Sequence, residues 1–574
     1  MLELTIDELK LLIDTRVRDG LSQAAIMDWL SNLELEKAIA TEAEEYVQSL
    51  DGHGHTEDTP KDKRPPIVVS NRQLRDPTME ATIALYRAND PPFIFVRQGK
   101  LMNVALDERH RPYIDLVNKA ALRNQLTKVA NFYRVEIKNE KKHLINVPPP
   151  DNITESILAQ SNNSFPPLEN IIECPVLRPD GTIITKAGYD SMTRLYHYPA
   201  KDLKLPDIPT NPSVTELVAA IDLVKEIVCN YEFETVASEA NYYAAMFTPI
   251  LRPIIKGVTP LHLFDKAQAG SGATILANIV SIIATGQSAA LMTAQKDDES
   301  WRKAIFSLLL RGQPIVTIDN VEHTLMTPSL AALITAETFQ DRVLGRSEMM
   351  TLPNQCTLIA TGNNIKLAGD MPRRCVLVRI NPRVPHPWRR DPSLFVHPEL
   401  ESWVKEKRGD ILAAMLTIAT AWVRAGKPKP CHLPSFGSFE SWAQIVGGVL
   451  DIMMVDGFLG NLDTIYEEMD TDTPVWENFL QVWFDTIGSE PITTPDLIAK
   501  MEDLNYKSLA DAVPVPSEKN EKSANYARRL GWAFRKKLEV VYPSLLMLTK
   551  DKDTYRKAIR YKVVKVVPKT GTKP

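Results

Sequence analysis

The sequence predicts an α/β protein built around a mainly parallel sheet, and three observations carry that expectation. Five short apolar runs, at 261–264, 289–293, 314–318, 357–361 and 375–380, are separated by segments long enough for helices or longer insertions. A loop of small residues follows the first run and opens an apolar helical stretch, ILANIVSIIATG. The chain of 574 residues, 44% hydrophobic and 24% charged, has the composition of a globular protein of several domains.

Taken in order, residues 1–50 show helical apolar spacing, with Leu9, Leu12 and Ile13 followed by Ile26, Trp29 and Leu30 and a turn at Gly20. A small acidic helical module is expected there. Residues 51–66, DGHGHTEDTPKDKRPP, are charged, proline-bearing and aperiodic, which is linker character. From 67 to 205, short β-like runs at 93–96 and from Val176, a PDG turn at 179–181 and a triple proline at 148–150 predict an α+β accessory domain. Residues 206–400 form the α/β core, with helical periodicity over 213–256 followed by the five runs. A helical region follows at 401–478, with helices over 403–425 and 439–454. The last part, 479–574, has helices and then alternating segments such as YKVVKVV, the pattern of a winged-helix-like domain.

Composition also excludes several classes. No apolar run reaches the roughly 18–20 residues that cross a bilayer, and MLELTIDELK lacks the layout of a signal peptide, so no membrane partner and a cytoplasmic location are expected. Cys174, Cys229, Cys356, Cys375 and Cys431 are far apart and odd in number, which fits neither a disulfide framework nor a structural zinc. His53 and His55 read as part of the polar linker. The net charge of −5 is unevenly spread: residues 1–60 carry 14 acidic and 4 basic side chains (−10), and residues 525–574 carry 14 basic and 3 acidic (+11). A basic tail of this kind suits a polyanion, nucleic acid first.

The small-residue loop is AQAGSGAT, 267–274. Backbone amides free of bulky side chains approach phosphate oxygens at the positive end of a helix, so Gly270, Ser271, Gly272, Ala273 and Thr274 are the expected phosphate contacts. The pattern GxxxxGK[ST] is matched in part: Ala267 stands for the first glycine, and Ala273 occupies the lysine position. Lys266, just before the loop, is a candidate to replace that ammonium; an exposed lysine at a strand end is the plainer reading. The third run ends QPIVTIDN, placing Asp319 where a strand delivers a carboxylate to a metal. Asn320 follows where many such ATPases carry a carboxylate, and Glu322 is a candidate base two residues on. The fourth run ends IATGNN, with Asn363 at the strand end to orient water or phosphate. Arg373 and Arg374 precede the fifth run; Asp370 is their alternative partner, and Arg342 and Arg346 are further cations of less determinate role.

In this order, AQAGSGAT, QPIVTIDN, DRVLGRSEMMTLP, IATGNN and GDMPRRC resemble the helicase part of primase–helicase proteins of phages and other mobile elements. These are AAA+-type P-loop ATPases with a three-layer core, related to superfamily-three replicative DNA helicases. The resemblance spans roughly residues 70–450. It implies a hexameric homo-oligomeric ring around DNA, with ATP and Mg2+ between subunits. Gly272 and Thr274 would contact phosphates and magnesium, Asp319 would be the metal-directing acid, Asn363 the first sensor, and Arg373 or Arg374 the arginine finger. Ala273 and Asn320 depart from the pattern and bear on turnover. No primase domain is evident, so a separate primase or replication protein is an expected partner.

Near the carboxyl terminus, NYARRLGWAFRKKLEVV reads as a helix carrying Arg528, Arg529, Arg535, Lys536 and Lys537, the expected DNA contacts. Two functions follow. One is an ATP-dependent DNA helicase-like motor; the other is an oligomeric DNA-binding loader or initiator that binds nucleotide with little or no hydrolysis.

Overall fold

The computed structural model describes residues 64–138, 141–160, 164–268, 270–343, 348–518, 521–552 and 559–566, with Ile13, Ile26, Met27 and Leu30. The expected module at 1–50 and most of the linker lie outside the described residues, as does Arg346.

Each of the five apolar runs forms a strand. Helix α1 (Val236–Leu251) leads to β1 (Leu261–Lys266), α2 (Ala273–Thr285), β2 (Leu291–Thr293), α3 (Asp298–Arg311), β3 (Ile315–Val321) and α4 (Pro328–Thr335). An antiparallel hairpin, β4 (Thr338–Arg342) and β5 (Met349–Pro353), precedes β6 (Thr357–Asn363) and β7 (Cys375–Ile380). Sequence pattern does not announce that hairpin. The sheet is wholly parallel in the order β2-β3-β6-β1-β7, so β1 is interior, pairing Lys266 with Asn363 on one side and Ile380 on the other.

Over β1, β3, β6 and β7 both faces of the sheet are covered, which is why those runs are continuously apolar rather than alternating, whereas the edge strand β2 is largely exposed, with Leu291 at 50%. Leu261 and Leu263 share one face with Val316, Ile318 and Leu358 through the parallel register, and Leu309 of α3 and Leu330 and Leu333 of α4 pack against that face. The opposite face presents His262 and Phe264. Helices α5 (Arg408–Arg424) and α6 (Glu440–Ile452) join the same apolar core. Trp442 of α6 lies 5.7 Å from the His262 ring, and Tyr242 of α1 lies 5.6 Å from that of Phe264.

The carboxyl-terminal part has a core of its own, with Trp476, Phe479, Trp483, Leu530, Phe534 and Tyr561 buried together. It comprises α7 (Thr473–Ile487), β8 (Ile492–Thr493), α8 (Thr494–Met501), α9 (Ser523–Lys536), β9 (Leu546–Lys552) and β10 (Ile559–Lys565), with a sheet ordered β8-β10-β9. The segment entering α7 is stitched to the loop after β6. The Leu367 N–H donates to the Met469 carbonyl at 2.9 Å, and the Thr471 N–H donates to the Leu367 carbonyl at 3.1 Å. A third apolar cluster, including Ile67, Leu85, Leu122 and Phe132, lies in the amino-proximal part.

Among the described residues no helix is long and apolar enough to cross a membrane, and no group of three or more His, Cys, Asp or Glu side chains forms a metal cluster. All five cysteines are free.

Candidate functional site

The chain leaves β1 at Lys266 and turns into α2 through a loop whose backbone only glycine accepts easily. Gly270 and Gly272 have φ of 76° and 90°. The turn is also confined from outside: a Cβ on Gly270 would meet that of Trp388 at 3.0 Å, and one on Gly272 would meet the Tyr231 hydroxyl at 2.9 Å. The Ser271 hydroxyl donates to the Gln268 carbonyl at 2.7 Å and tightens the loop. Helix α2 starts at Ala273 without a side-chain cap, so its first amides and its dipole face the loop. Ala273 is 1% exposed, packed in the core. No hydrogen bond or ion pair engages the Lys266 ammonium among the described residues.

Thr274, in the first turn of α2, donates from Oγ1 to Asp319 Oδ1 at 3.2 Å. Thr361 on β6 donates to the same oxygen at 2.6 Å, leaving Asp319 Oδ2 without a protein partner among the described residues. The Asn320 N–H closes the motif by donating to Thr361 Oγ1 at 3.1 Å. The register of β3 against β6 shifts between Ile318 and Val321, and Asn320 takes a φ of 55° at this irregularity. A hydroxyl and a carboxylate side by side, at the open end of a glycine-bearing loop, are oxygen donors suited to a hard cation such as magnesium.

Asn363 ends β6 beside the loop. With its amide oriented so that both ends are satisfied, its nitrogen donates to the carbonyls of Lys266 at 2.6 Å and Ala267 at 3.3 Å. Gly272, Thr274, Asp319 and Asn363 thus gather at one edge of the sheet, as the topology of parallel strands requires. Glu322 is exposed and accepts from the Asn320 amide at 2.7 Å. The two adjacent arginines differ in their surroundings. Arg374 donates to the Ala331 carbonyl, to Thr335 Oγ1 at 2.9 Å and to Asp370 at 2.9 Å, binding the last turn of α4. Arg373 is 76% exposed, with Asp370 3.7 Å away.

Three features escape sequence reading. Thr361 carries no motif of its own, although it lies two residues before Asn363. Asp265, fully buried on β1, accepts from the Ile365 N–H at 2.9 Å and from Arg379 Nε at 3.0 Å, and Arg379 also donates to Glu468 at 2.7 Å. The available signal is an opposite charge at matching depth in two adjoining apolar strands, LHLFDK and CVLVRI. Finally, a cavity of about 260 Å³ opens beside the loop, lined by Tyr231, Gly272, Ile380, His397 and Glu401. Burial pushes the Tyr231 hydroxyl well above its ordinary pKa. His397 stacks on Trp403 at 3.7 Å and bonds Glu226 at 2.9 Å, shaping the far wall.

On α9, Arg528, Arg535 and Lys536 are exposed. Arg529 instead donates to Glu521 at 2.6 Å and to the Pro516 carbonyl at 2.7 Å, and Lys537 pairs with Asp472. These two cations hold the module together.

No family model matches the chain, and no curated protein matches it. Among solved structures it is similar to the C-terminal region of NrS-1 in its apo A form, at 12% identity and a TM-score of 0.33, over 81% of this chain and 96% of that one. It is similar to the SCCmec type IV Cch helicase at 9% identity and a TM-score of 0.29, over 82% and 97%. A ligand-bound JCV helicase matches at 15% identity and a TM-score of 0.20, over 44% and 73%. Values this low leave the functional argument to the chain's own residues.

Proposed function

We propose that this chain is an ATP-dependent, helicase-like DNA motor of a phage or other mobile element, with an AAA+-type core acting as a hexameric ring. The observation that carries the reading is the meeting of Thr274 and Asp319 at the mouth of the glycine-bearing loop. In this reading the amides of Gly270, Ser271 and Gly272 cradle the phosphates, and the cavity lined by Tyr231 and Ile380 receives the base. Thr274 and the free oxygen of Asp319 hold magnesium, which neutralises charge on the phosphates when bound. Asn363 orients the attacking water, and exposed Arg373 reaches a neighbouring subunit's site. Arg528, Arg535 and Lys536 contact DNA.

A second reading, a DNA-binding loader or initiator that holds nucleotide and turns it over slowly if at all, is favoured by Ala273 and Asn320. A missing charge-assisted hydrogen bond costs about 1.5–3 kcal/mol, roughly 10- to 100-fold in affinity. An asparagine amide takes no proton from water, and Glu322, its neighbour, is engaged by that amide. Measuring ATP binding and DNA-stimulated turnover on the full chain separates the readings. The motor predicts turnover that falls at least about tenfold in Asp319→Asn, the loss of one charge-assisted contact. Binding without turnover supports the loader, and absence of nucleotide binding refutes both.

A further inference from the structure

We infer that Trp532 is a stacking platform for an unpaired nucleobase, so that the carboxyl-terminal module grips single-stranded DNA more tightly than duplex. The inference rests on the DNA reading above and names the form of DNA.

Helix α9 has two unlike faces. Tyr526, Leu530 and Phe534 turn inward, where Phe534 meets Trp476, Trp483 and Tyr561 with ring centroids 6.2, 5.6 and 5.1 Å away. Outward, at spacings of four, three and one, stand Arg528, Trp532, Arg535 and Lys536, all exposed. Trp532 departs from the buried tryptophans of the cores. Trp301, Trp422, Trp442, Trp476 and Trp483 are each under 5% exposed; Trp532 and Trp388 are each 58% exposed, but Trp388 meets the His386 ring at 5.0 Å, whereas Trp532 meets no ring among the described residues. The exposed residues about one turn away on this face, Arg528, Arg535 and Lys536, are cations. Lys536 Nζ sits 3.6 Å from the ring centroid, on one face of the ring. This cation–π contact restrains the indole, which stays more than half exposed.

An exposed aromatic ring flanked by cations about one helical turn away on either side matches a strand whose bases are free and whose phosphates run alongside. A base within a duplex has both faces covered by its neighbours, and offers a protein its groove edge and its phosphate instead. The two kinds of group therefore separate the two ligands. Arg528 and Arg535 serve any phosphate backbone; Trp532 serves an unstacked base alone.

The test uses the full chain, binding a labelled oligothymidylate and a labelled duplex of equal length, followed by fluorescence anisotropy across a salt series. Trp532→Ala should weaken single-strand binding about 10- to 100-fold, the worth of one base–aromatic stack, and leave duplex binding within about twofold. Trp532→Phe should keep most of the single-strand affinity, because a smaller ring still stacks. Joint replacement of Arg528 and Arg535 by alanine should weaken both ligands and flatten the salt dependence. Because Trp532 is exposed, its variants keep the core of the module. Unchanged single-strand affinity in Trp532→Ala, or an equal loss on both ligands, overturns the inference while leaving DNA binding intact. A wild-type chain that binds neither ligand overturns the DNA reading itself.

Discussion

Replacing Arg379 by methionine should strand a buried carboxylate and loosen the loop that follows β6. Asp265 is fully buried, and its carboxylate has two partners, the Ile365 N–H at 2.9 Å and Arg379 Nε at 3.0 Å. Removing one member of a buried ion pair costs about 3–5 kcal/mol, because the survivor keeps its desolvation penalty. Arg379 is 13% exposed and Asp265 retains the Ile365 amide, so the lower end, about 3 kcal/mol, is expected. Burial already raises the Asp265 carboxyl above its ordinary range, against the pull of the Ile365 amide and Arg379. Without the guanidinium it rises further. A carboxyl raised in the folded state contributes stability that is present below its unfolded pKa and lost as pH rises through the folded one. The deficit of Arg379→Met should therefore be smallest in mild acid and largest at alkaline pH. Adding Asp265→Asn should recover most of the loss, since both charges then leave together. Thermal unfolding at about pH 5 and about pH 8, with hydrogen exchange of the Ile365 amide, reads both effects. A single variant within about 1 kcal/mol of wild type, or a double variant no better than the single, refutes the reasoning.

Two other outcomes are expected. Burial pushes the Glu173 carboxyl up to about 7, despite the nearby charges of Arg408 and Arg111, so its stabilising contribution is present below about 4.5 and lost as pH rises through about 7. Glu173→Gln should raise the melting temperature near pH 8, by at most roughly 3 kcal/mol of stability, and leave it unchanged near pH 4; a pH-independent shift contradicts this. Ala273→Lys crowds a position that is 1% exposed and should lower the melting temperature by the equivalent of about 1–3 kcal/mol without nucleotide. With ATP the new ammonium has a phosphate to meet, so the nucleotide-induced rise in melting temperature should exceed that of wild type; an equal rise means that another group, Lys266 first, already fills the role.

Four of the five strands are legible because a sheet covered on both faces demands unbroken apolar runs, and such runs stand out against the flanking helices; the short edge strand β2 is largely exposed and follows from its place in the rhythm. The glycines, Thr274 and Asp319 were legible for a different reason: loop and carboxylate sit at strand ends, where a parallel topology must bring them to one edge. What could not be read is which charge meets which. Arg373 and Arg374 are adjacent and alike in sequence, yet only the second reaches the carbonyl end of α4, some forty residues away. On α9 and at its C-cap, Arg529 and Lys537 have the same spacing credentials as Arg528 and Lys536. Their engagement depends on Glu521 and on Asp472, the latter sixty-five residues upstream. The pairing of Asp265 with Arg379 likewise needs the strand order, because nothing local says that the first and last strands of the sheet are neighbours.

The stitching of Leu367 to 469–471 shortens the leash between two distant chemistries. From Thr471 only one residue intervenes before α7 begins at Thr473, and from Leu367 only three intervene back to Asn363. Neither stretch holds slack. A swing of the carboxyl-terminal module as a rigid piece must either tear two backbone hydrogen bonds or drag the loop beside the glycine-bearing turn along with it.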